Sequence, residues 1–130
     1  MEHTVTMANS TGRTYPPSEA AERSGFSLDT LRYYEREGLL TPIARTAGGR
    51  RAYTDGDLEW LSLVRCLRDT GMPIAQIRRY SELAVDAQTM GERLELLEEH
   101  DREVQETIDV LRARQDRLRE KIAWYRSELG

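Results

Sequence analysis

The sequence predicts an all-α chain with one small β wing: a head of short helices containing a helix-turn-helix, then one long C-terminal coiled-coil helix. Three observations lead there. The run LRYYEREGLL, Leu31 to Leu40, sets arginines and tyrosines on the end of a short helix beside a glycine turn. The pair Gly48-Gly49 separates two segments that carry arginine and read as extended chain. From Gly91 onward, apolar residues recur at three- and four-residue spacing almost to the terminus, the period of a helix with one sticky stripe.

Each element has a local cause. Pro17 suits a first helical turn, where its missing N–H is no loss, and Ser18 to Ser24 continue one short helix with Ala20 and Ala21 facing inward. Gly25 permits a tight turn. Ser27 is placed to cap a second helix, with Asp29 and Thr30 in its first turn, the part that a helix-turn-helix presents to base edges. Leu28 and Leu31 anchor this helix. Arg32, Tyr33, Tyr34 and Arg36 gather two guanidiniums and two phenols within about one and a half turns. Arginine bonds phosphate or guanine, and tyrosine hydroxyls reach phosphate oxygens.

After Gly38, the stretch Thr41 to Tyr53 reads as a two-stranded hairpin with a basic tip, built on Pro42, Gly48-Gly49, Arg50, Arg51 and Tyr53. From Thr30 to Tyr53 five Arg face two Glu, a local net of +3 in a chain whose total is −4. Thr54 is the next N-cap, with Asp55 and Asp57 well placed against the helix dipole. Leu58, Trp60, Leu61, Leu63, Val64 and Leu67 then cover more than one face, so this third helix is expected to pack on two sides. Gly71 ends it. Pro73 and Ile74 open a fourth helix through Ile77, Tyr80 and Leu83, with Arg78 and Arg79 on its exposed side.

The long helix carries the seam Leu94, Leu97, Asp101, Val104, Ile108, Leu111, Gln115, Leu118, Ile122, Tyr125 and Leu129. Over roughly 38 residues it would be about 57 Å long, too long to bury its stripe within so small a chain. It needs a partner, most simply a second copy. Asp101 and Gln115 interrupt the seam symmetrically about Ile108, which suits an antiparallel pair; a frayed, solvated seam is the other reading. The organisation is therefore a disordered tail over residues 1–13, a DNA-binding head over 14–84 and a dimerisation helix over 90–130. Leu94, Leu97, Val104, Ile108, Leu111, Leu118 and Ile122 are the expected dimer contacts.

Composition sets outer limits. The excess acid lies in the second half: residues 1 to 80 carry 11 Arg against 10 acids, and residues 81 to 130 carry 8 basic against 13 acidic. An acidic helix that never touches DNA weakens phosphate contact little, because charges beyond about 10 Å are screened. No window approaches the roughly 18 uninterrupted apolar residues of a membrane span. The first 13 residues lack the apolar stretch of a secretory signal. A single cysteine excludes an intrachain disulfide and makes a cytoplasmic protein the default.

Together the helix-turn-helix, LRYYE, GLL-P, a glycine-containing wing ending R-R-A-Y, and T-D-G-D-L as a helix start resemble the MerR family of bacterial transcription regulators. The match is close over about Tyr15 to Tyr80 and looser along the final helix. The run D-L-E-W-L-S-L-V-R-C-L-R-D-T-G-M is most similar to the aldehyde and nitrosative-stress (AdhR/NmlR-like) branch, whose single cysteine falls at this place in the same helix. The resemblance implies an antiparallel dimer with two heads on one palindromic promoter site, and RNA polymerase as a partner. Regulation would come from bending and untwisting the duplex between promoter elements. The family's metal-sensing branch places its thiol ligands beyond the dimerisation helix, and its multidrug branch adds a C-terminal ligand domain; neither is expected in a chain ending at Gly130.

The expected interface divides by role. Thr30, Arg32 and Tyr33 would reach the major groove, and Tyr34, Arg45, Arg50, Arg51, Tyr53 and Arg68 would hold phosphates of double-stranded DNA. Cys66 is the candidate thiol sensor. On its helix it shares a face with Glu59, Ser62, Asp69 and Thr70, a boundary position whose acids dull a thiol; a small half-buried residue without chemistry is the competing reading. No cofactor, metal site or enzymatic activity is expected. There is no phosphate-binding glycine loop and no nucleophile with an evident base, and His100, between Glu99 and Asp101, reads as part of a solvated face. Two rivals share the sequence: a DNA-binding regulator without a thiol switch, and a coiled-coil adaptor whose head binds protein.

Overall fold

The computed structural model describes residues 12–130. The predicted tail over 1–13 lies outside the described residues except for Gly12 and Arg13. The Arg13 guanidinium lies 4.7 Å from the centre of the Tyr15 ring and pairs with Glu19 at 3.9 Å.

In chain order the elements are β1 (Thr14–Tyr15), α1 (Pro17–Ser24), α2 (Leu28–Arg36), β2 (Tyr53–Thr54), α3 (Asp55–Asp69), α4 (Ile74–Ala84), a short 3-10 turn (Ala87–Thr89) and α5 (Met90–Leu129). The chain forms two compact units divided inside α5, between Leu94 and Glu95. The head thus extends past residue 84. The start of α5 belongs to it because Arg93 is buried and its Nε donates to Thr89 Oγ1 at 3.2 Å, while Arg79 pairs with Glu92.

Local chemistry fixes the boundaries. Pro17 opens α1, and Gly25 closes it in the left-handed region at φ 81°, a conformation glycine adopts without steric cost. Ser27 Oγ accepts the Thr30 N–H and caps α2. At α3 the reciprocal box is complete: Thr54 Oγ1 accepts from Asp57 N at 3.0 Å, and Asp57 Oδ2 accepts from Thr54 N at 2.9 Å.

The paired strands are not the two arms of the predicted hairpin. The regular pair is β1 with β2, antiparallel, Thr14 opposite Thr54 and Tyr15 opposite Tyr53. The wing closes more loosely, through the single bridge Arg45 to Arg51 with Ala52 N donating to Ala44 O and Thr46 N to Arg50 O. Its return arm runs on into β2, which pairs with the extended segment before α1. The Tyr15 hydroxyl strengthens that pairing by donating to Asp55 Oδ1 at 2.7 Å.

The head core gathers Leu31, Leu39, Tyr53, Leu61, Val64, Met72 and Ile77. Trp60 stacks on Tyr80 with ring centres 5.5 Å apart, and its Nε1 donates to the buried Leu39 carbonyl at 2.8 Å. One reading of α2 needs correction: Leu31 is buried, but Leu28 lies exposed, so a single leucine anchors that face. Another concerns α3, which buries Trp60, Leu61, Val64 and Leu67 while Glu59, Ser62, Arg65, Cys66, Arg68 and Asp69 stay exposed. Leu58 and Leu63 are half-buried flanks, and α3 is covered on one side.

In α5, Ile108, Leu111, Leu118, Ile122, Tyr125 and Leu129 form an exposed apolar stripe. Leu97 and Val104 are half-buried. His100 is 7% exposed, not part of a solvated face. Its position three residues from Leu97 and four from Val104 puts it on their side of the helix, whereas Asp101 faces water. Glu103 lies 3.9 Å from its Nδ1.

Asp57 gives the head an acid-dependent term. Burial raises its carboxyl above the ordinary carboxylate range; hydrogen bonds from Thr54 pull the other way, and the Glu35 charge adds to the rise. The folded state then holds the proton more tightly than the unfolded chain. As pH falls from neutral toward the ordinary aspartate value of about 3.9, the wild type should gain stability relative to Asp57→Asn, whose amide oxygen still caps Thr54. Denaturant midpoints of both proteins across that range check this; a constant difference would refute it.

Candidate nucleic-acid interface

The exposed side of α2 presents Asp29, Arg32, Tyr33 and Arg36. Arg32 Nη1 pairs with Asp29 at 3.3 Å, a contact one turn long. Arg36 stacks over the Tyr33 ring at 5.7 Å, which holds both side chains outward and together. Thr30 is half-buried, and its hydroxyl lies 2.9 Å from the Ser27 hydroxyl in a hydrogen bond.

Two predicted phosphate holders belong to the core instead. Tyr53 is 1% exposed and Tyr34 5%, against 40% for Tyr33. The Phe26 ring meets Tyr34 edge to face at 5.2 Å. Burial pushes the Tyr53 hydroxyl pKa up. Aromatic rings flanked by arginine look alike in sequence whether they face solvent or core; the helix period, with Tyr34 three residues from Leu31, is the signal that separates them.

The wing is tied to α2 by one carboxylate. Glu35 Oε1 accepts from Arg51 Nε at 2.6 Å, and Glu35 Oε2 accepts from the Ile43 N–H at 3.0 Å. Both oxygens therefore hold the wing, one at each of its arms. Arg51, predicted as a phosphate contact, is half-buried in this role. Arg45 and Arg50 remain exposed; Arg45 Nη1 curls back to the Gly49 carbonyl at 2.9 Å. A recess of about 230 Å³ opens between Pro16 and Pro17 at the start of α1 and Thr46, Arg50 and Arg51 of the wing.

Other ties were not singled out from sequence. Arg78, expected on an exposed side, is half-buried; its Nε donates to the Glu37 carbonyl at 2.8 Å and its Nη2 to Glu37 Oε1 at 3.2 Å, which fastens the end of α2 to α4. Arg65 of α3 reaches the turn between α1 and α2, donating to the Gly25 carbonyl at 3.0 Å. Arg68 is exposed on the same helix, but α3 meets that turn through Arg65. Only the tertiary fold brings these pairs together, since their members lie about forty residues apart.

Cys66 is free and exposed on α3. Its backbone carbonyl accepts from the Thr70 hydroxyl at 2.7 Å. Among the described residues no group of three or more His, Cys, Asp or Glu is placed to hold a metal ion, and no helix is long and apolar enough to cross a membrane.

Known proteins share this arrangement. The family described as MerR HTH family regulatory protein matches residues 15–83, and that described as MerR, DNA binding, matches 58–121. An uncharacterized HTH-type transcriptional regulator of Haemophilus influenzae is 42% identical over 113 residues, 86% of this chain and 84% of that protein. The HTH-type transcriptional regulator AdhR of Bacillus subtilis is 36% identical over 66 residues, 51% of this chain and 47% of that protein. The crystal structure of HiNmlR, a MerR family regulator lacking the sensor domain, bound to promoter DNA, superposes with a TM-score of 0.81 at 42% identity, covering 88% of this chain and 91% of that one. The chain belongs to the MerR family of helix-turn-helix, DNA-binding transcription regulators.

Proposed function

We propose that the protein acts in the cytoplasm as a homodimer on a palindromic promoter duplex and regulates RNA polymerase there by distorting the DNA. The observation that carries this reading is the pairing of one fixed basic surface with one open apolar stripe. Glu35 locks the wing against α2, and α5 leaves Ile108, Leu111, Leu118 and Ile122 facing water. A stripe at that spacing is stable when a second helix covers it. An antiparallel pair about Ile108 relates the two heads by a two-fold axis, the symmetry of a palindrome.

Within each head, Arg32, Tyr33, Arg36 and Thr30 supply the groove-facing side chains, and Arg45 and Arg50 reach phosphates from the wing. A dimer gripping two half-sites can bend or untwist the segment between them for a few kcal/mol of deformation energy. Support for promoter DNA as the target comes from the HiNmlR structure, which holds promoter DNA.

A trigger at Cys66 extends this reading. The thiol is exposed, so an electrophile can reach it, and it sits on the helix that also carries Arg65, the contact to the α1–α2 turn. Modification would then alter the DNA-bound state of the head without changing its phosphate contacts.

Three outcomes are expected. Wild type should sediment at twice the 15.0 kDa chain mass, and Ile108→Asp with Leu118→Asp should give a folded monomer that protects no palindrome; a dimeric double variant would remove the stripe from the interface. Arg50→Ala should flatten the salt dependence of binding by about one unit, whereas Glu35→Gln should weaken binding with the slope kept, as titrations over a salt series will show. In footprints with a thiol-modifying agent, the centre of the site should become distorted for wild type and not for Cys66→Ser; identical patterns would leave Cys66 without a switching role.

A further inference from the structure

We infer that Arg65 is a positioning residue for DNA recognition: from α3 its guanidinium holds the α1–α2 turn and sets the angle at which α2 meets the duplex. The inference rests on the DNA-binding reading above and adds a residue outside the expected interface. Arg65 Nη1 donates to the Gly25 carbonyl at 3.0 Å and reaches the Ser24 carbonyl at 3.5 Å. Its Nε is held by Asp69 Oδ2 at 3.0 Å, one helical turn along α3. Its carbon lies 5.5 Å from the centre of the Phe26 ring.

Each contact suits a cation at this place. The carbonyls that end a helix carry its negative pole and lack intrahelical partners, and a guanidinium supplies several donors in a fixed plane. Glycine at position 25 leaves the space: a Cβ built there would stand 2.3 Å from Arg65 Nη1. Asp69 orients the side chain so that its free edge points at the turn.

The contact is relayed to α2 through aromatic packing. Phe26, under the guanidinium, meets Tyr34 edge to face at 5.2 Å, and Tyr34 is a buried residue of α2 itself. The order Asp69, Arg65, Phe26, Tyr34 thus runs from the exposed face of α3 into the middle of the helix that presents Arg32, Tyr33 and Arg36. Base contacts depend on the pose of that helix, whereas phosphate contacts by flexible arginines tolerate small rotations and carry no sequence information. Removing Arg65 should therefore damage discrimination more than general affinity.

The test uses the full chain and a duplex enriched from a random-sequence library by the wild type, with a scrambled duplex beside it. Binding of wild type, Arg65→Met, Arg65→Lys and Asp69→Asn is titrated over a salt series, with thermal unfolding followed in parallel. Arg65→Met should bind the enriched duplex about tenfold more weakly, the scale of one charge-assisted hydrogen bond, with scrambled-duplex affinity and salt slope unchanged. Arg65→Lys should recover part of the loss, because an ammonium can reach Gly25 but cannot hold Asp69 in the same plane, and Asp69→Asn should lose less than Arg65→Met. A salt slope flatter by about one unit would make Arg65 a direct phosphate contact and overturn the inference. So would equal losses on both duplexes, or a lower melting temperature with discrimination intact. If Arg65→Met fails to fold, Arg65→Lys and Asp69→Asn decide by the same readouts. Failure of the wild type to enrich any duplex would instead sink the DNA-binding reading, and this inference with it.

Discussion

The Glu35 carboxylate is the interaction on which the exposed basic surface of α2 and the wing depends. A nine-residue helix and a loosely bridged wing have little intrinsic rigidity; isolated helices of that length are marginal in water. One oxygen on the Arg51 guanidinium and the other on the Ile43 N–H make them a single body. The pair is half-buried, so salt and water weaken it less than a surface ion pair. An acid in the middle of a basic cluster is thus no dilution of positive charge. It is the reason the cluster has a shape.

The fastening extends outward from that point. The Trp60 indole holds the chain just after α2 through the Leu39 carbonyl, Arg78 holds Glu37 at the end of α2, and Arg65 holds the turn before it. Three donors from α3 and α4 thereby satisfy carbonyls that the short helices leave without partners. The buried Leu39 carbonyl needs such a partner, and donors supplied from neighbouring helices hold α2 at both ends.

Much of this was legible in the residues. The caps at Ser27 and Thr54, the glycine end of α1 and the period of α5 are local patterns, and local patterns survive into the fold because each satisfies its own backbone groups. What escaped were contacts across about forty residues, and the sorting of similar side chains. Tyr33 and Tyr34 differ only in which side of the helix they occupy, and Tyr53 stands in a strand whose partner, Thr14–Tyr15, is too short to show a period of its own. His100 escaped for a related reason: its sequence neighbours are acidic, but its helical neighbours are Leu97 and Val104.

The arginines show how one residue type serves two ends, and why an acidic chain can still meet DNA. Arg51, Arg65 and Arg78 each bond a carbonyl or a half-buried acid within the head, and their charge is answered there. Arg32, Arg36, Arg45 and Arg50 lie on the exposed surface of α2 and the wing, with Arg32 answered only by the fully solvated Asp29. An exposed pair of that kind contributes roughly 0–1 kcal/mol, so Asp29 holds the Arg32 guanidinium only weakly. The acidic surplus resides in the second half of the chain, away from the basic residues of α2 and the wing in sequence. Net charge is therefore a poor guide to this protein; the division between arginines that build the surface and arginines that form it is the better one.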